Sequence, residues 1–320
     1  MFFGEASGLK LGQATRDAFG DALKAAGSAR SEIVVVDGDV GNSTRTEPFA
    51  KAHPDRAFNV GIAESDMVGV AAGLAACGKI PVASSFACFL MCNAYDQMRM
   101  SIAFPGLNVK LVGSHAGISI GADGPSQMGI EDVSLACSLP GMAVVVPCDA
   151  PSTAKATHAM LDHEGPVYLR TGREKVAIVY PDGCPNFALG RAIQVREGDD
   201  VTVIANGIMV AAALDAATEL AREGVSVRVI DMHTAKPLDE QAVVNAARQT
   251  RAIVVAEEHL AHGGLGSAVA MAAARAAPVP IGFVNIGDCF AESGDPYELL
   301  EKYGLTPGAI VKAVRSVTGR

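Results

Sequence analysis

Short runs of β-branched residues alternate along the chain with longer, alanine-rich stretches in which apolar positions recur every three or four residues. Runs of the first kind are typical of strands buried on both faces of a sheet, and stretches of the second kind are typical of amphipathic helices. In the first half, the predicted strands are Ile33–Val36, Pro81–Ser84, Val109–Val112, Ala143–Val146 and Val167–Leu169. The predicted helices are Thr15–Ala26, Glu64–Ala76, Ala94–Ala103 and Pro151–Leu161. This order predicts a mainly parallel sheet with helices on both faces.

A second series of the same kind follows a break in the pattern. The break, Lys175–Gly190, contains two prolines and two glycines and shows no regular period. Beyond it, the predicted strands are Val201–Ala205, Ser226–Ile230, Ala252–Ala256 and Ile281–Asn285, and the predicted helices are Met209–Glu223, Asp239–Arg248, Gly266–Ala276 and Pro296–Val317. We therefore predict two doubly wound α/β domains, at residues 1–180 and 191–320, with a linker at residues 181–190.

Composition and charge narrow the classes of function. Of the 320 residues, 49% are hydrophobic and 19% are charged, which is typical of a globular chain and excludes a disordered one. The formal net charge is −9, from 26 basic and 35 acidic residues. This balance argues against nucleic acid or an anionic membrane surface as a partner, while it is compatible with a small cationic pocket.

The sequence also indicates a compartment. Met1–Lys10 lacks the basic start and apolar run of a secretory signal, and apolar runs such as Ile80–Leu90 are shorter than the ~20 residues of a membrane-spanning helix. We therefore expect a cytoplasmic protein. The seven cysteines are an odd number without a Cys-x-x-Cys pair, so we expect neither a disulfide framework nor a zinc site.

Polar and aromatic side chains gather where the predicted strands of the first domain end. In parallel α/β sheets the ligand crevice lies at the carboxyl ends of the strands. The segments expected at that edge are Asp37–Ser43, Asn59–Glu64, Ser85–Phe89, His115–Gln127 and Arg170. They bring acids, aromatic rings, a histidine, a glycine-rich loop and an arginine to one rim, which predicts a functional site there.

These segments, with Glu257–His259 and Gly263–Gly266 in the second half, resemble the pyrimidine-binding and C-terminal domains of thiamine-diphosphate enzymes of the transketolase family. The resemblance covers essentially the whole chain and is greatest to the C-terminal subunit of a split transketolase. It implies an enzyme that transfers a two-carbon ketol unit between phosphorylated sugars, with thiamine diphosphate as its cofactor.

The resemblance assigns four residues to the cofactor. Glu64 matches the carboxyl group that hydrogen-bonds N1′ of the aminopyrimidine, so that the 4′-amino group can deprotonate the thiazolium carbon. Phe86 and Phe89 match the aromatic residues around the pyrimidine, and Asp39 matches an acid near the cofactor. On residue type alone, Glu64 is equally well explained as an acid favoured in the first turn of a helix.

Five further residues are assigned to the substrate. Arg16, Ser43, His115 and Arg170 match the residues that hold the phosphate of the sugar. Two guanidinium groups, a hydroxyl and an imidazole are suitable partners for a dianion. Asp123 matches a residue that orients the hydroxyl groups of the donor.

One position departs from the family. Gln127 stands where family transketolases usually have the histidine of an Asp-Gly-Pro-Thr-His-Gln loop. Glutamine forms hydrogen bonds but does not titrate. We therefore expect the phosphate end of the site to be retained and the donor end to be altered. A branched, deoxy or otherwise unusual ketose phosphate becomes a candidate donor.

The magnesium signature of the family is also not met. That signature is Gly-Asp-Gly followed further along by Asn, whereas Gly38-Asp39 is followed here by Val40. The resemblance then implies that the Mg²⁺ ligands lie on an N-terminal transketolase subunit, with no metal ligands on this chain. We expect the two kinds of subunit to share thiamine diphosphate in a two-plus-two heterotetramer.

Three alternatives remain at this point. The E1 β subunit of a 2-oxoacid dehydrogenase has the same two-domain plan but would not need the four phosphate-binding residues together. A deoxyxylulose-phosphate-synthase-like subunit shares the Gly-Ala-Asp-Gly of Gly121–Gly124. A non-catalytic scaffold would have no use for Glu64 and Phe89.

Overall fold

The computed structural model describes residues 2–319 and contains two α/β units, as the sequence predicts. The strands of the first half are β1 Leu11–Ala14, β2 Ile33–Asp37, β3 Ala57–Asn59, β4 Ile80–Phe86, β5 Lys110–Ser114, β6 Ala143–Val145, β7 Val167–Arg170 and β8 Lys175–Ala177. Its α-helices are α1 Thr15–Ala29, α2 Gly41–Thr44, α3 Glu47–Ala52, α4 Glu64–Ala76, α5 Ala87–Asn93, α6 Tyr95–Gln97, α7 Asp132–Ser138 and α8 Ala150–Asp162.

The second half repeats the alternation. Its strands are β9 Ile193–Arg196, β10 Val201–Ala205, β11 Val227–Asp231, β12 Thr234–Lys236, β13 Ile253–Ala256 and β14 Ile281–Val284. Its helices are α9 Met209–Arg222, α10 Glu240–Gln249, α11 Leu265–Ala276, α12 Pro296–Lys302 and α13 Pro307–Thr318. Short 3₁₀ turns at Pro54–Arg56, Ile118–Asp123 and Pro125–Gln127 lie in the loops of the first half.

Two sheets organise the molecule. The first has seven strands in the order β12-β6-β7-β5-β4-β2-β3, and the second has five in the order β14-β13-β10-β11-β9. Both are parallel except for one antiparallel edge strand each, β12 and β9. The central strands β2, β4 and β5 are buried along their whole length, as expected for a sheet covered on both faces. This arrangement confirms the predicted fold class.

The chain also contains strands that the hydrophobic pattern did not indicate. Strand β12 comes from the second half but pairs with β6 of the first sheet, so the two halves are joined by a shared sheet. Strand β8 lies inside the predicted break and pairs antiparallel with β1 in a separate two-stranded ribbon. The linker at residues 181–190 stays a prediction.

Two predicted helices differ from those in the structure. The helix expected at Ala94–Ala103 consists of the short α6 followed by a π-helical segment, Met98–Ala103. The helix expected at Pro296–Val317 is two helices, α12 and α13, because Gly304 adopts a left-handed φ of 72° and Pro307 begins the second one. Within residues 2–319, no helix is both long and apolar enough to cross a membrane.

Candidate active site

The side chains singled out at the ends of the predicted strands are held by elements at the carboxyl edge of the first sheet. In the register of its central strands, Phe86 at the end of β4 lies beside Ser114 of β5, and Gly113 of β5 lies beside Arg170 of β7. His115 follows β5 with a left-handed φ of 56°. The parallel pairing therefore brings residues that are far apart in sequence to one rim.

Glu64 is a buried acid at the start of helix α4. The hydroxyl of Ser85 donates a hydrogen bond to Oε1 of Glu64 over 2.8 Å, whereas Oε2 accepts no hydrogen bond from residues 2–319. Gly38 lies against this carboxyl group, since a Cβ atom built on Gly38 would be 3.8 Å from Oε1. The loop after β2 and the start of α4 thus meet, and one carboxyl oxygen remains free to bind a ligand.

Aromatic rings continue the site from Ser85. The rings of Phe86 and Phe89 are nearly parallel, with centroids 5.7 Å apart, and those of Phe86 and His115 are stacked at 4.0 Å. Phe86 is buried and contacts both neighbours, while Phe89 is only partly buried. Of the two phenylalanines, Phe89 therefore has the more accessible face.

Arg16, on helix α1, contacts His115 and the loop that carries Ser43. Nη1 of Arg16 lies 2.8 Å from Nε2 of His115 and donates to the backbone carbonyl of Ser43 over 3.1 Å. Because a guanidinium group can only donate, Nε2 of His115 accepts and the imidazole proton is on Nδ1, which lies 2.9 Å from the hydroxyl of Ser114. His115 therefore orients Arg16.

The surroundings of Arg16 and His115 are positively charged. Burial, with Arg16, Arg173 and Arg45 nearby, lowers the pKa of His115 to about 3, so its imidazole is neutral near pH 7. Burial and the neighbouring Arg45 also lower the pKa of Arg16. The Nε–H of Arg16 is buried and has no hydrogen-bond partner within residues 2–319. Such a donor in a cluster of positive charge fits an anionic ligand.

Arg173 belongs to this cluster, although sequence reasoning missed it. Its Nη1 forms an ion pair with Asp123 over 2.9 Å, and its charge contributes to the lowered pKa of Arg16 and of His115. The signal in the sequence was a second arginine three residues after Arg170. We name Arg16, His115 and Arg173 the anion cluster.

Arg170 is directed to other partners. Its Nε forms a buried ion pair with Asp132 over 2.8 Å, and its Nη2 donates to the carbonyls of Gly129 and Glu258. Oε1 of Glu258 in turn accepts from the backbone N–H of Ser119. These contacts tie the second domain to the loop after β5. The structure therefore brings Arg16, Ser43 and His115 together and places the guanidinium group of Arg170 in the domain junction.

The other residues assigned from the sequence lie in loops at the same edge. Asp39 is exposed, has a left-handed φ of 66° and accepts a hydrogen bond from the side-chain amide of Asn59 over 2.8 Å. Gln127 ends a 3₁₀ turn, and its side chain forms no hydrogen bond within the described chain. Across residues 2–319, no group of three or more His, Cys, Asp or Glu side chains has an arrangement that could hold a metal ion.

Comparison with known proteins gives two domain matches. Residues 12–178 match the pyrimidine-binding domain of transketolase, and residues 190–310 match the transketolase C-terminal domain. The chain is 44% identical to the 6-deoxy-6-sulfo-D-fructose transketolase subunit SqwH of Clostridium sp. (strain MSTE9), over 95% of this chain and 94% of that subunit.

Two further proteins show how the length of this chain compares with that of its relatives. It is 41% identical to transketolase-like protein 2 of Mus musculus, over 96% of this chain but 49% of the mouse protein, so it spans about half of that relative. A solved structure described as a split-gene transketolase in an inactive β4 tetramer is 46% identical, with a TM-score of 0.88, and the match covers 96% of this chain and 99% of that one.

Proposed function

Because the chain belongs to the transketolase family, we propose that it is the C-terminal subunit of a two-subunit transketolase that moves a two-carbon ketol unit between sugars with a terminal anionic group. One observation carries the proposal. A continuous series of contacts runs from Glu64 through Ser85, Phe86 and His115 to Arg16. Considering the described residues 2–319, a carboxyl oxygen without a hydrogen-bond partner lies at one end of this series and a guanidinium N–H without one lies at the other.

The carboxyl end suits the cofactor. Thiamine diphosphate, which the family implies, supplies a nucleophilic thiazolium carbon that takes up the ketol unit. We assign Oε2 of Glu64 to the pyrimidine nitrogen N1′, since Oε1 is already held by Ser85. Phe89 offers the partly exposed ring against which a flat heteroaromatic group packs. We propose that Phe86 packs against Phe89 on the cofactor side of the site. We also propose that Asp39 is an acid near the cofactor.

The anion cluster suits the other end of the substrate. Arg16 and Arg173 supply positive charge, and His115 accepts from Arg16 and so fixes the direction of its guanidinium group. We propose Arg173 for the role that the resemblance gave to Arg170, because the guanidinium of Arg170 contacts Asp132 and two carbonyls instead. We also propose that Ser43, whose backbone carbonyl accepts a hydrogen bond from Arg16, binds the same anion.

Asp123 and Gln127 are proposed to contact the hydroxyl groups of the sugar. Asp123 pairs with Arg173, which places its carboxylate beside the anion cluster. Gln127 lies four residues further along the same loop and has a side-chain amide without a partner in the described chain. An amide both donates and accepts, so it can bind a sugar hydroxyl without changing charge.

A second substrate class is a sugar with a terminal sulfonate. The relative at 44% identity is named for 6-deoxy-6-sulfo-D-fructose, which carries that group. Guanidinium groups bind the oxygens of a sulfonate as they bind those of a phosphate. Because His115 is neutral near pH 7, the charge of the anion cluster near that pH comes from its arginines. The cluster can therefore hold either anion.

The partner is proposed from the split relatives. SqwH is described as a subunit, and the tetramer of like chains in the related solved structure is described as inactive. We infer that an N-terminal subunit supplies the Mg²⁺ ligands and the diphosphate site, and that two copies of each subunit assemble.

Reconstitution with the N-terminal subunit tests the proposal. The pair and each subunit alone should be assayed for ketol transfer from fructose 6-phosphate, 6-deoxy-6-sulfofructose and fructose to an aldose phosphate. We expect activity from the pair only, with kcat/KM at least ~10-fold higher for an anionic donor than for fructose, because each contact to a charged group contributes about 1.5–3 kcal/mol. A pair that is inactive with all three donors, or that does not prefer the anionic ones, would contradict the proposal.

A further inference from the structure

We propose that Thr15 is a positioning residue whose hydroxyl group sets the spacing of Arg16 and Arg173, and thereby the affinity for the terminal anion of the substrate. The inference rests on the proposed function of these two arginines. Thr15 is 4% exposed, begins helix α1 and directly precedes Arg16 in the chain. It is not among the residues assigned from the sequence.

The two arginines leave the same end of the β1–β8 ribbon. Strand β1 is followed by Thr15 and then Arg16, and strand β8 is preceded by Arg173 and Glu174. The ribbon is antiparallel, and Ala14 of β1 lies opposite Lys175 of β8. The separation of the two arginines therefore depends on how the segment after β1 and the segment before β8 are held together just beyond this last pair.

Two hydrogen bonds join these two segments at that point. The backbone N–H of Gly172 donates to the Thr15 hydroxyl oxygen over 2.7 Å, and the backbone N–H of Arg16 donates to the Gly172 carbonyl over a longer 3.4 Å. The shorter of the two is the one that depends on a side chain. Both bonds lie within one residue of Arg16 or Arg173.

The same segment also holds the third member of the anion cluster. The carbonyl of Thr171 accepts from the backbone N–H of Ala116, which follows His115, and the N–H of Thr171 donates to Gly113 of β5. Residues 171–172 therefore hydrogen-bond to Ala116, next to His115, and to Thr15, next to Arg16, and they directly precede Arg173. Among these contacts, the hydroxyl of Thr15 is the one contributed by a side chain, so it is the one that a substitution can remove.

Removing this hydroxyl has a defined consequence. Valine has the shape of threonine but cannot accept a hydrogen bond, so Thr15→Val would leave the Gly172 N–H in a part-buried position without its partner. The segment that carries Arg173 would then shift relative to Arg16. Displacements of about 1 Å are enough to weaken binding to a preorganised site.

Steady-state kinetics of the reconstituted pair test the inference. With fructose 6-phosphate as donor, Thr15→Val should raise KM by about 5–10-fold and change kcat by less than about 2-fold, the effect of one lost hydrogen bond. With fructose as donor, which has no terminal anion, KM should stay as in the wild type. Thr15→Ser, which keeps the acceptor, should restore the wild-type KM for the phosphorylated donor.

A matched control separates positioning from general destabilisation. Thr157 is a second buried threonine of the first domain, and its hydroxyl donates to the carbonyl of Thr153 within α8. Thr157→Val should leave KM for both donors unchanged. Thr15→Ala, assayed with its Tm beside that of Thr15→Val, provides a second variant in case valine does not fold.

The outcomes distinguish the inference from the proposed function. If Thr15→Val and Thr15→Ala leave KM for fructose 6-phosphate unchanged, or raise it equally for fructose, Thr15 does not position the arginines and the inference is wrong while the proposed function stands. If the wild-type pair prefers neither fructose 6-phosphate nor 6-deoxy-6-sulfofructose over fructose, the proposed function fails and the inference fails with it.

Discussion

The two domains share one plan but use the carboxyl edges of their sheets differently. At the edge of the first sheet, Asp39 and Asp123 are exposed, and Arg16 and Arg173 are partly exposed residues. An acid at the same edge of the second sheet, Asp231 at the end of β11, is fully buried. The position of a polar residue after a parallel strand is therefore not enough to indicate a site.

The polar groups of the second edge hold the protein together. Glu257 follows β13, and its two carboxyl oxygens accept from the backbone N–H groups of Leu265 and Gly266 at the start of α11. His259 is 1% exposed, and its Nε2 accepts from the N–H of Ser134 in the first domain. The two edges thus differ in exposure and in the partners of their polar groups, which predicts effects on activity at one and on stability at the other.

The largest effect on activity is expected at Glu64. Glu64→Gln keeps the shape of the side chain but removes the acid, so kcat of the reconstituted pair should fall by about 10²–10⁴-fold, the range of a lost general acid or base. The Tm of the isolated chain should change little, because the side chains are isosteric. Deuterium exchange at the thiazolium carbon of bound cofactor measures the step directly, and an unchanged exchange rate would exclude Glu64 as the activating acid.

A pair of arginine variants sharpens the comparison. Arg173→Ala should reduce kcat/KM for phosphorylated donors by about 10–150-fold, since a contact to a charged group contributes about 1.5–3 kcal/mol, and should leave fructose unaffected. Arg170→Ala should instead lower the free energy of unfolding, on the order of 3–5 kcal/mol, because it leaves the buried Asp132 without its ion-pair partner and with the hydroxyl of Tyr168 as a neutral donor. Should Arg170→Ala act only on phosphorylated donors, the original assignment from the sequence would be restored.

Several features of the fold and of the candidate site could be predicted from the sequence, for physical reasons. Strand β2 contains a continuous run of apolar residues, and helix α9 has apolar positions that recur every three or four residues. Both patterns can be recognised along the sequence without knowledge of the fold. The residues at the carboxyl edge followed from the parallel order of those strands. The structure accordingly brings Glu64, Phe86 and His115 into one series of contacts.

Features that depend on distant partners were not accessible. Strand β12 has three residues and pairs with β6, some ninety positions earlier, so no local pattern indicates it. The separate orientations of Arg170 and Arg173 depend on Asp132, the first residue of α7, and on Asp123, in the loop after β5. The sequence shows two arginines, and their partners place the guanidinium group of Arg170 in the domain junction and that of Arg173 beside Asp123.

A smaller change in activity is expected from Gln127→His. The side chain of Gln127 makes no hydrogen bond within residues 2–319, so the substitution removes no hydrogen bond of the described chain. It should change kcat/KM for fructose 6-phosphate and for 6-deoxy-6-sulfofructose by a similar factor of less than about 10-fold, the scale of one hydrogen bond, because both donors present the same hydroxyl groups to Gln127. The preference for anionic donors over fructose should persist, since the anion cluster is intact. Loss of that preference would mean that Gln127 contacts the anion.

The smallest effect on activity is expected at Asp231, where the change should appear in stability alone. Burial raises the pKa of this carboxyl group to about 7, in spite of the hydrogen bonds that it accepts from Tyr180 and Cys148. The folded state therefore keeps a proton that the unfolded state has already lost. The resulting stabilisation is complete below the ordinary pKa, near pH 4, and disappears as the pH rises through about 7.

Asp231→Asn removes this dependence, because an amide does not titrate, while its oxygen can still accept from Tyr180. Urea titrations at pH 5 and pH 8 should show that the wild type loses on the order of 2 kcal/mol more between these values than the variant does. Ketol transfer by the pair should be unchanged at pH 7.5. Equal losses in the two proteins would show that Asp231 is ionised in the fold, and a fall in kcat would mean that the edge of the second sheet takes part in catalysis after all.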